Sequence, residues 1–126
     1  MTISLLPFVD SGTYPTRSGN QVKPWIDGEP AFRRICQAIE TAQHSVWATI
    51  TFMWSSFQMP DGRGAPLDVF ERAARRGIDV RLIFWRPDEE TASLRTNAFW
   101  GSPEHFQMLA QLYPYVKIRW DRAYPG

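Results

Sequence analysis

Residues 45–87 read SVWATITFMWSSFQMPDGRGAPLDVFERAARRGIDVRLIFWRP, and this stretch decides the fold. Residues 44–54 are rich in β-branched and aromatic side chains, which is typical of a buried strand. Residues 66–76 carry apolar side chains at helical spacing, and Gly77 after them is the residue most favoured just past a helix end. Residues 78–85 predict a second strand. A strand, a helix and a strand in this order predict two parallel strands with a right-handed crossover.

The segments on either side continue the same alternation. Residues 22–26 predict a short first strand, residues 30–42 a helix with one apolar face, and residues 115–120 a last strand. A third helix is predicted to begin at Pro103, after a long loop over residues 86–101. The order βαβαβαβ indicates an α/β fold in which helices flank a mostly parallel sheet. We expect residues 1–20 to form an irregular arm and residues 21–126 to form one domain.

The composition excludes several classes of protein. With 44% apolar residues in a chain of 126, the sequence supports one packed domain, and a formal net charge of +1 argues against a partner held by the whole surface, such as nucleic acid. Cys36 is the only cysteine, so no intramolecular disulfide can form, and its place on an apolar helix face predicts a buried thiol. Without a signal peptide or an apolar span, we expect a cytoplasmic protein with at most a peripheral membrane contact.

Tryptophan recurs where the predicted strands end. Trp54, Trp85 and Trp120 stand at the carboxyl ends of three strands, and Arg86 and Arg122 closely follow two of them. Because ligands of open α/β sheets bind beyond these ends, we expect these five residues to line a substrate-binding pocket, with the arginines placed for an anion. The alternative is that the tryptophans close the core beneath the long loop.

The sequence lacks the usual catalytic and cofactor motifs. It has no Gly-x-Ser-x-Gly and no Gly-x-Gly-x-x-Gly pattern, and Gly62-Arg-Gly64 lacks the lysine of a phosphate-binding loop. Neither His44 nor His105 has a second histidine or a cysteine at metal-binding spacing. We therefore expect no catalytic residue, no cofactor and no metal site within this chain.

Three segments resemble the front part of a phospholipase D superfamily domain. They are residues 22–32 (VKPWIDGEPAF), residues 35–47 (ICQAIETAQHSVW) and, most clearly, residues 67–84 (LDVFERAARRGIDVRLIF). In that family the third segment corresponds to the helix and strand that precede the catalytic motif. The family signature, His-x-Lys-x-x-x-x-Asp, is absent, since His44 is followed by Ser-Val and His105 by Phe-Gln. No catalytic residue of the family can therefore be assigned to a position in this chain.

The resemblance implies a parent protein that attacks a phosphodiester with a histidine and passes through a phosphohistidine intermediate. A second histidine would act as general acid, lysines would hold the phosphate oxygens, and no metal would take part. Family members place the signature shortly after a segment that resembles residues 118–122. The expectation is thus the amino-terminal part of a phosphodiesterase or phosphatidyltransferase, inactive by itself.

The partner expected from this resemblance is phospholipid or another phosphodiester. A second copy of the chain is expected as well, because a fragment that lacks the rest of its sheet exposes an unpaired strand edge. Apolar residues of the two loops, Phe57, Met59, Phe99 and Trp100, would contact acyl chains at a membrane surface. Two other functions stay open. One is a non-catalytic α/β binding domain with a Trp- and Arg-lined anion pocket. The other is a nucleotide-dependent oxidoreductase, which has this layer order but needs a glycine fingerprint that the sequence lacks.

Overall fold

A computed structural model of the chain describes residues 17–51, 53–54, 56–86 and 103–122. In these ranges helices and strands alternate as α1 (Gly28–Thr41), β1 (Ser45–Ile50), α2 (Pro66–Arg75), β2 (Asp79–Arg86), α3 (Pro103–Leu112) and β3 (Lys117–Arg122). The predicted α/β class is confirmed. Most of the expected amino-terminal arm and most of the expected long loop lie outside the described residues. No helix in the described ranges has the length and apolar character that crossing a bilayer requires.

The strands form one parallel sheet in the order β1-β2-β3. Ser45 of β1 lies opposite Asp79 of β2, and Arg81 lies opposite Lys117 of β3. The predicted first strand over residues 22–26 is wrong, because the backbone there is irregular and its side chains are exposed, Val22 by 91%. Pro24 has no N–H for a ladder, and Val22 and Ile26 bury too little apolar surface to offset the cost of ordering the segment as a strand.

One face of the sheet carries the core. Leu82 and Phe84 of β2 are each only 1% exposed, and they share one apolar cluster with Cys36 of α1, Phe70 of α2 and Leu109 of α3. All three helices therefore pack on the same side. Right-handed crossovers that advance in one direction across the sheet require this of α2 and α3, and α1 packs there through Cys36 and Ile39. Burial of a side chain of this size contributes about 1.5–3 kcal/mol to folding. The predicted burial of the Cys36 thiol is confirmed.

At Gly77, α2 ends with two nested backbone hydrogen bonds. The N–H of Gly77 donates to the C=O of Ala74 at 2.9 Å, and the N–H of Ile78 donates to the C=O of Ala73 at 3.4 Å. Gly77 has a φ of +88°, which glycine adopts without the steric cost that other residues meet. This arrangement is the Schellman motif, and it returns the chain into β2 at Asp79.

The beginning of α2 is fixed by the carboxylate of Asp68. One oxygen accepts the N–H of Ala65 at 2.8 Å, and the other accepts the hydroxyl of Tyr113 at 3.1 Å. The first bond satisfies a backbone donor at the helix start. The second joins α2 to the segment that follows α3, so one side chain orients two of the three helices.

Candidate functional site

The carboxyl ends of β2 and β3 place two arginines opposite each other. Arg86, the last residue of β2, is the Cα partner of Arg122, the last residue of β3. Trp85 and Asp121 form the pair before them. Like charges directly opposite each other on neighbouring strands destabilise a sheet, and an anion bound between them would remove that repulsion. The register therefore puts the Cα atoms of two arginines side by side at the edge where ligands of parallel sheets bind.

The tryptophans of the predicted pocket do not share one surface. Trp120 lies on the helix-covered side, partly buried against the core, with its ring centre 5.1 Å from that of Phe84. Trp85 is one position further along the ladder, opposite Asp121, so the alternation of side chains puts it on the other side of the sheet. Trp54 follows β1 and is 45% exposed. Trp120 thus occupies the core position that the alternative interpretation gives it.

Ion pairs fix the loop after β1 to α1. The guanidinium of Arg33 donates to both carboxylate oxygens of Asp61, at 2.8 and 3.0 Å, and also to Glu29 at 2.6 Å. Arg63 donates to Asp61 at 2.6 Å and to Glu40 at 2.7 Å. The bonds from Arg33 and then Arg63 hold the pKa of Asp61 at about 2, and these carboxylates raise the pKa of both arginines. Both guanidinium groups are engaged by carboxylates and are not free for a phosphate.

The arginines of α2 and its carboxyl end have structural partners as well. Each donates to a group of the protein: Arg72 to the C=O of Arg63 at 2.8 Å, Arg75 to Glu71 at 3.1 Å, and Arg76 to the C=O of Ile39 at 3.2 Å. The bonds of Arg76 and Arg72 join α2 to α1 and to the loop before it, and the bond of Arg75 lies within α2. Arg86 and Arg122 differ from these arginines in their place, at the carboxyl ends of β2 and β3.

Two of the residues expected to contact acyl chains belong to the interior. Met59 is 5% exposed, and the ring of Phe57 packs on the core, 4.9 Å from the ring of Phe32. Asp61 and Gly62, both at positive φ, form the tight turn that folds Met59 inward. Met59 is therefore shielded from a membrane surface in this conformation, and Phe57 is partly shielded. Phe99 and Trp100 lie outside the described residues.

The described part of the chain contains no catalytic constellation. His44 immediately precedes β1, at the end of the sheet opposite to Arg86 and Arg122, and the side chain of His105 lies outside the described residues. Burial raises the pKa of the Cys36 thiol, which keeps it protonated and poorly nucleophilic. No group of three or more potential metal ligands occurs in the described ranges.

The uncovered face of the sheet carries a polar cluster that the sequence analysis did not single out. Asp79 accepts hydrogen bonds from Lys117 at 2.7 Å and Arg81 at 2.8 Å, and these two partners lower the pKa of Asp79. The Arg81 guanidinium also lies over the ring of Trp47, 5.0 Å from its centre. The signal was present in residues 79–84, where Asp, Arg and Ile alternate with Val, Leu and Phe, a period of two that predicts one exposed face.

Comparisons with known proteins leave the family open. No protein-family model matches the sequence, and no curated protein matches it. The resemblance to phospholipase D therefore depends on residues 22–32, 35–47 and 67–84. The last of these segments forms α2 and most of β2, the helix and the strand at the centre of the fold.

Proposed function

We propose that this chain belongs to a phospholipase D-like phosphodiesterase or phosphatidyltransferase and supplies a phosphate-binding sheet edge. The observation that carries the proposal is the pairing of Arg86 with Arg122 at the carboxyl ends of β2 and β3. Arginine suits a phosphate because its planar guanidinium offers two parallel N–H donors to two phosphate oxygens. Two such groups on neighbouring strands would hold a phosphodiester where ligands of parallel sheets bind.

In this proposal the reacting groups come from outside the described residues. A histidine nitrogen attacks phosphorus, the bond from phosphorus to the leaving oxygen breaks, and a second histidine protonates that oxygen. Water or an alcohol then attacks phosphorus and releases the first histidine. His44 lies at the wrong end of the sheet for either role. At least one His-x-Lys-x-x-x-x-Asp motif must therefore come from a further segment of the same protein.

Among phosphodiesters we favour a phospholipid. A net charge of +1 is small for a protein that neutralises many phosphates along a nucleic acid. Trp85, which precedes Arg86 in β2, is an amphipathic aromatic residue, the kind that suits the boundary between headgroup and acyl chain. The corresponding membrane contact would be peripheral.

The coding sequence tests the enzymatic part of the proposal. Reading onward in frame from the codon of Gly126 should reveal the His-x-Lys-x-x-x-x-Asp pattern within a short distance, and a stop codon there would refute it for this chain. In the protein that carries the motif, the double variant Arg86→Ala/Arg122→Ala should lower kcat/KM at least a hundredfold, since a hydrogen bond to a charged group contributes about 1.5–3 kcal/mol. Arg119→Ala, on the uncovered face, should change it less than twofold.

A non-catalytic anion-binding domain is the second candidate. It is favoured by the same arginine pair together with the lack of an acid–base pair among the described residues. It predicts that the chain binds inorganic phosphate through Arg86 and Arg122 and that its gene encodes no signature motif. Phosphate binding supports both candidates, whereas the coding sequence separates them.

A further inference from the structure

The two outer strands of the sheet have very different free edges. β1 and β3 are outermost in the order β1-β2-β3, and in the described part of the chain no further strand joins either. β3 has the sequence KIRWDR, with four charged residues among six, and β1 has the sequence SVWATI, with none. Charged side chains on an edge strand keep other chains from pairing with it. The edge of β3 is protected in this way and the edge of β1 is not.

Three residues of β1 direct their backbone groups to the free edge. The N–H of Asp79 on β2 donates to the C=O of His44 at 3.1 Å, so the backbone groups of His44 point towards β2. Because these groups alternate between the two sides of a strand, those of Ser45, Trp47 and Thr49 point away from β2. They offer hydrogen-bond donors and acceptors for which the described residues provide no strand.

The side chains of β1 also have incomplete cover. On the core side, Val46, Ala48 and Ile50 are only partly buried, whereas their register partners Val80, Leu82 and Phe84 are 1% exposed each. On the other side, Trp47 is 69% exposed. A strand alongside β1 would cover apolar surface on both faces of the sheet and would pair its side chains with those of β1.

We infer that β1 pairs with β1 of a second copy of this chain. A two-fold axis perpendicular to the sheet makes the two strands antiparallel and keeps Trp47 and Thr49 of both copies on one face. Ser45, Trp47 and Thr49 then exchange backbone hydrogen bonds with the same three residues of the second copy. The result is a continuous sheet of twice three strands, with β3 at both ends.

Charge and symmetry favour a second copy at β1 and disfavour one at β3. β1 itself carries no charge, and Arg81, which lies over Trp47, is paired with Asp79. Two β3 strands would instead bring Lys117, Arg119 and Arg122 of one copy near those of the other. The donors and acceptors of the β1 edge are complementary to themselves in an antiparallel pair. This pairing needs no substrate and does not depend on the proposed phosphodiester chemistry.

Sedimentation velocity and residue-resolved amide exchange on the 126-residue chain test this inference. We expect a species of twice the 14.6 kDa mass in which the amides of Ser45, Trp47 and Thr49 exchange slowly. Dilution should restore fast exchange at these three amides and leave Val46, Ala48 and Ile50 protected, because those bond to β2. A chain that is monomeric at about millimolar concentration, with the three edge amides in fast exchange, would overturn the inference.

A proline variant locates the interface. Thr49→Pro removes an N–H that points to the free edge and not to β2, and proline is tolerated on edge strands, so it should weaken dimerisation at least tenfold. Thr49→Ala keeps the N–H and should still dimerise, as should Arg119→Glu on β3. A dimer that survives Thr49→Pro unchanged would place the interface elsewhere and contradict the inference. If Thr49→Pro does not fold, the exchange pattern of the unmodified chain still decides.

Discussion

Replacement of Gly64 by alanine tests how the loop after β1 is joined to α2. Gly64 has a φ of +83°, in the left-handed region, and an added Cβ would lie 2.5 Å from Oδ2 and 3.3 Å from Cγ of Asp68. The Asp68 carboxylate cannot move aside without losing the bonds from Ala65 N–H and the Tyr113 hydroxyl. One methyl group should therefore disturb the loop, the start of α2 and the attachment of α3.

The expected loss is the sum of three modest terms. Alanine in the left-handed conformation costs about 1 kcal/mol, loss of the bond that caps the helix about 1 kcal/mol, and loss of the Tyr113 hydrogen bond about 1 kcal/mol. Gly64→Ala should thus lower the free energy of unfolding by about 3 kcal/mol. Gly62→Ala is the matched control, because Gly62 also has positive φ, +70°, but an added Cβ there meets no atom within 4 Å. It should cost about 1 kcal/mol.

Urea denaturation followed by circular dichroism measures both variants. A second arm adds Asp68→Ala to Gly64→Ala, and the double variant should be less destabilised than the sum of the two single variants, because both disrupt the same bonds. Equal stabilities of Gly64→Ala and Gly62→Ala, or full additivity in the double variant, would refute this account of the Asp68 contacts.

Three further outcomes are expected. The pKa of Asp61, about 2, lies below its ordinary value, so its ion pairs stabilise the fold above pH 4 and this stabilisation is lost as the pH falls towards 2. The difference in melting temperature between the unmodified chain and Asp61→Asn should therefore shrink over that interval. A difference that stays constant would contradict this role of the ion pairs. Leu82→Ala should lower the free energy of unfolding by about 2–5 kcal/mol, and Ile83→Ala, at the exposed neighbouring position, by less than about 1 kcal/mol. Equal losses for the two variants in urea denaturation would contradict the faces assigned to these side chains. The Cys36 thiol should react with a disulfide reagent at least a hundredfold more slowly in the folded chain than in urea, and rapid labelling of the folded chain would show that it is not buried.

Local pattern predicted most of the fold. The helix over residues 66–76 and the strand over residues 78–85 were correct within a residue or two, because their apolar periodicity and Gly77 all favour the same structure. The strand predicted over residues 44–54 begins one residue later, at Ser45, and ends earlier, at Ile50. The strand predicted over residues 115–120 begins two residues later, at Lys117. The strand prediction for residues 22–26 was wrong because strand propensity has an effect only where the segment can pair with a neighbouring strand or pack on a core.

The site was less predictable than the fold. That the strand ends share one edge follows from the parallel order, which sequence reasoning gave. That Trp85 and Trp120 lie on opposite faces depends on the stagger of β2 against β3, and only the packed structure determines that stagger. Likewise, the bond between Arg33 and Asp61 joins residues 28 positions apart and has no local signal. The number of charged residues in the sequence could not show which guanidinium groups are paired with carboxylates of the protein.

Titration of the labelled chain with inorganic phosphate, followed through its amide resonances, tests the central claim most directly. The account predicts saturable shifts at Trp85, Arg86, Asp121 and Arg122, the residues that end β2 and β3, and their loss in the Arg86→Ala/Arg122→Ala variant. Arg119→Ala should leave the shifts unchanged. Shifts that never saturate, that occur away from this edge, or that persist in the double variant would contradict a phosphate site at the sheet edge.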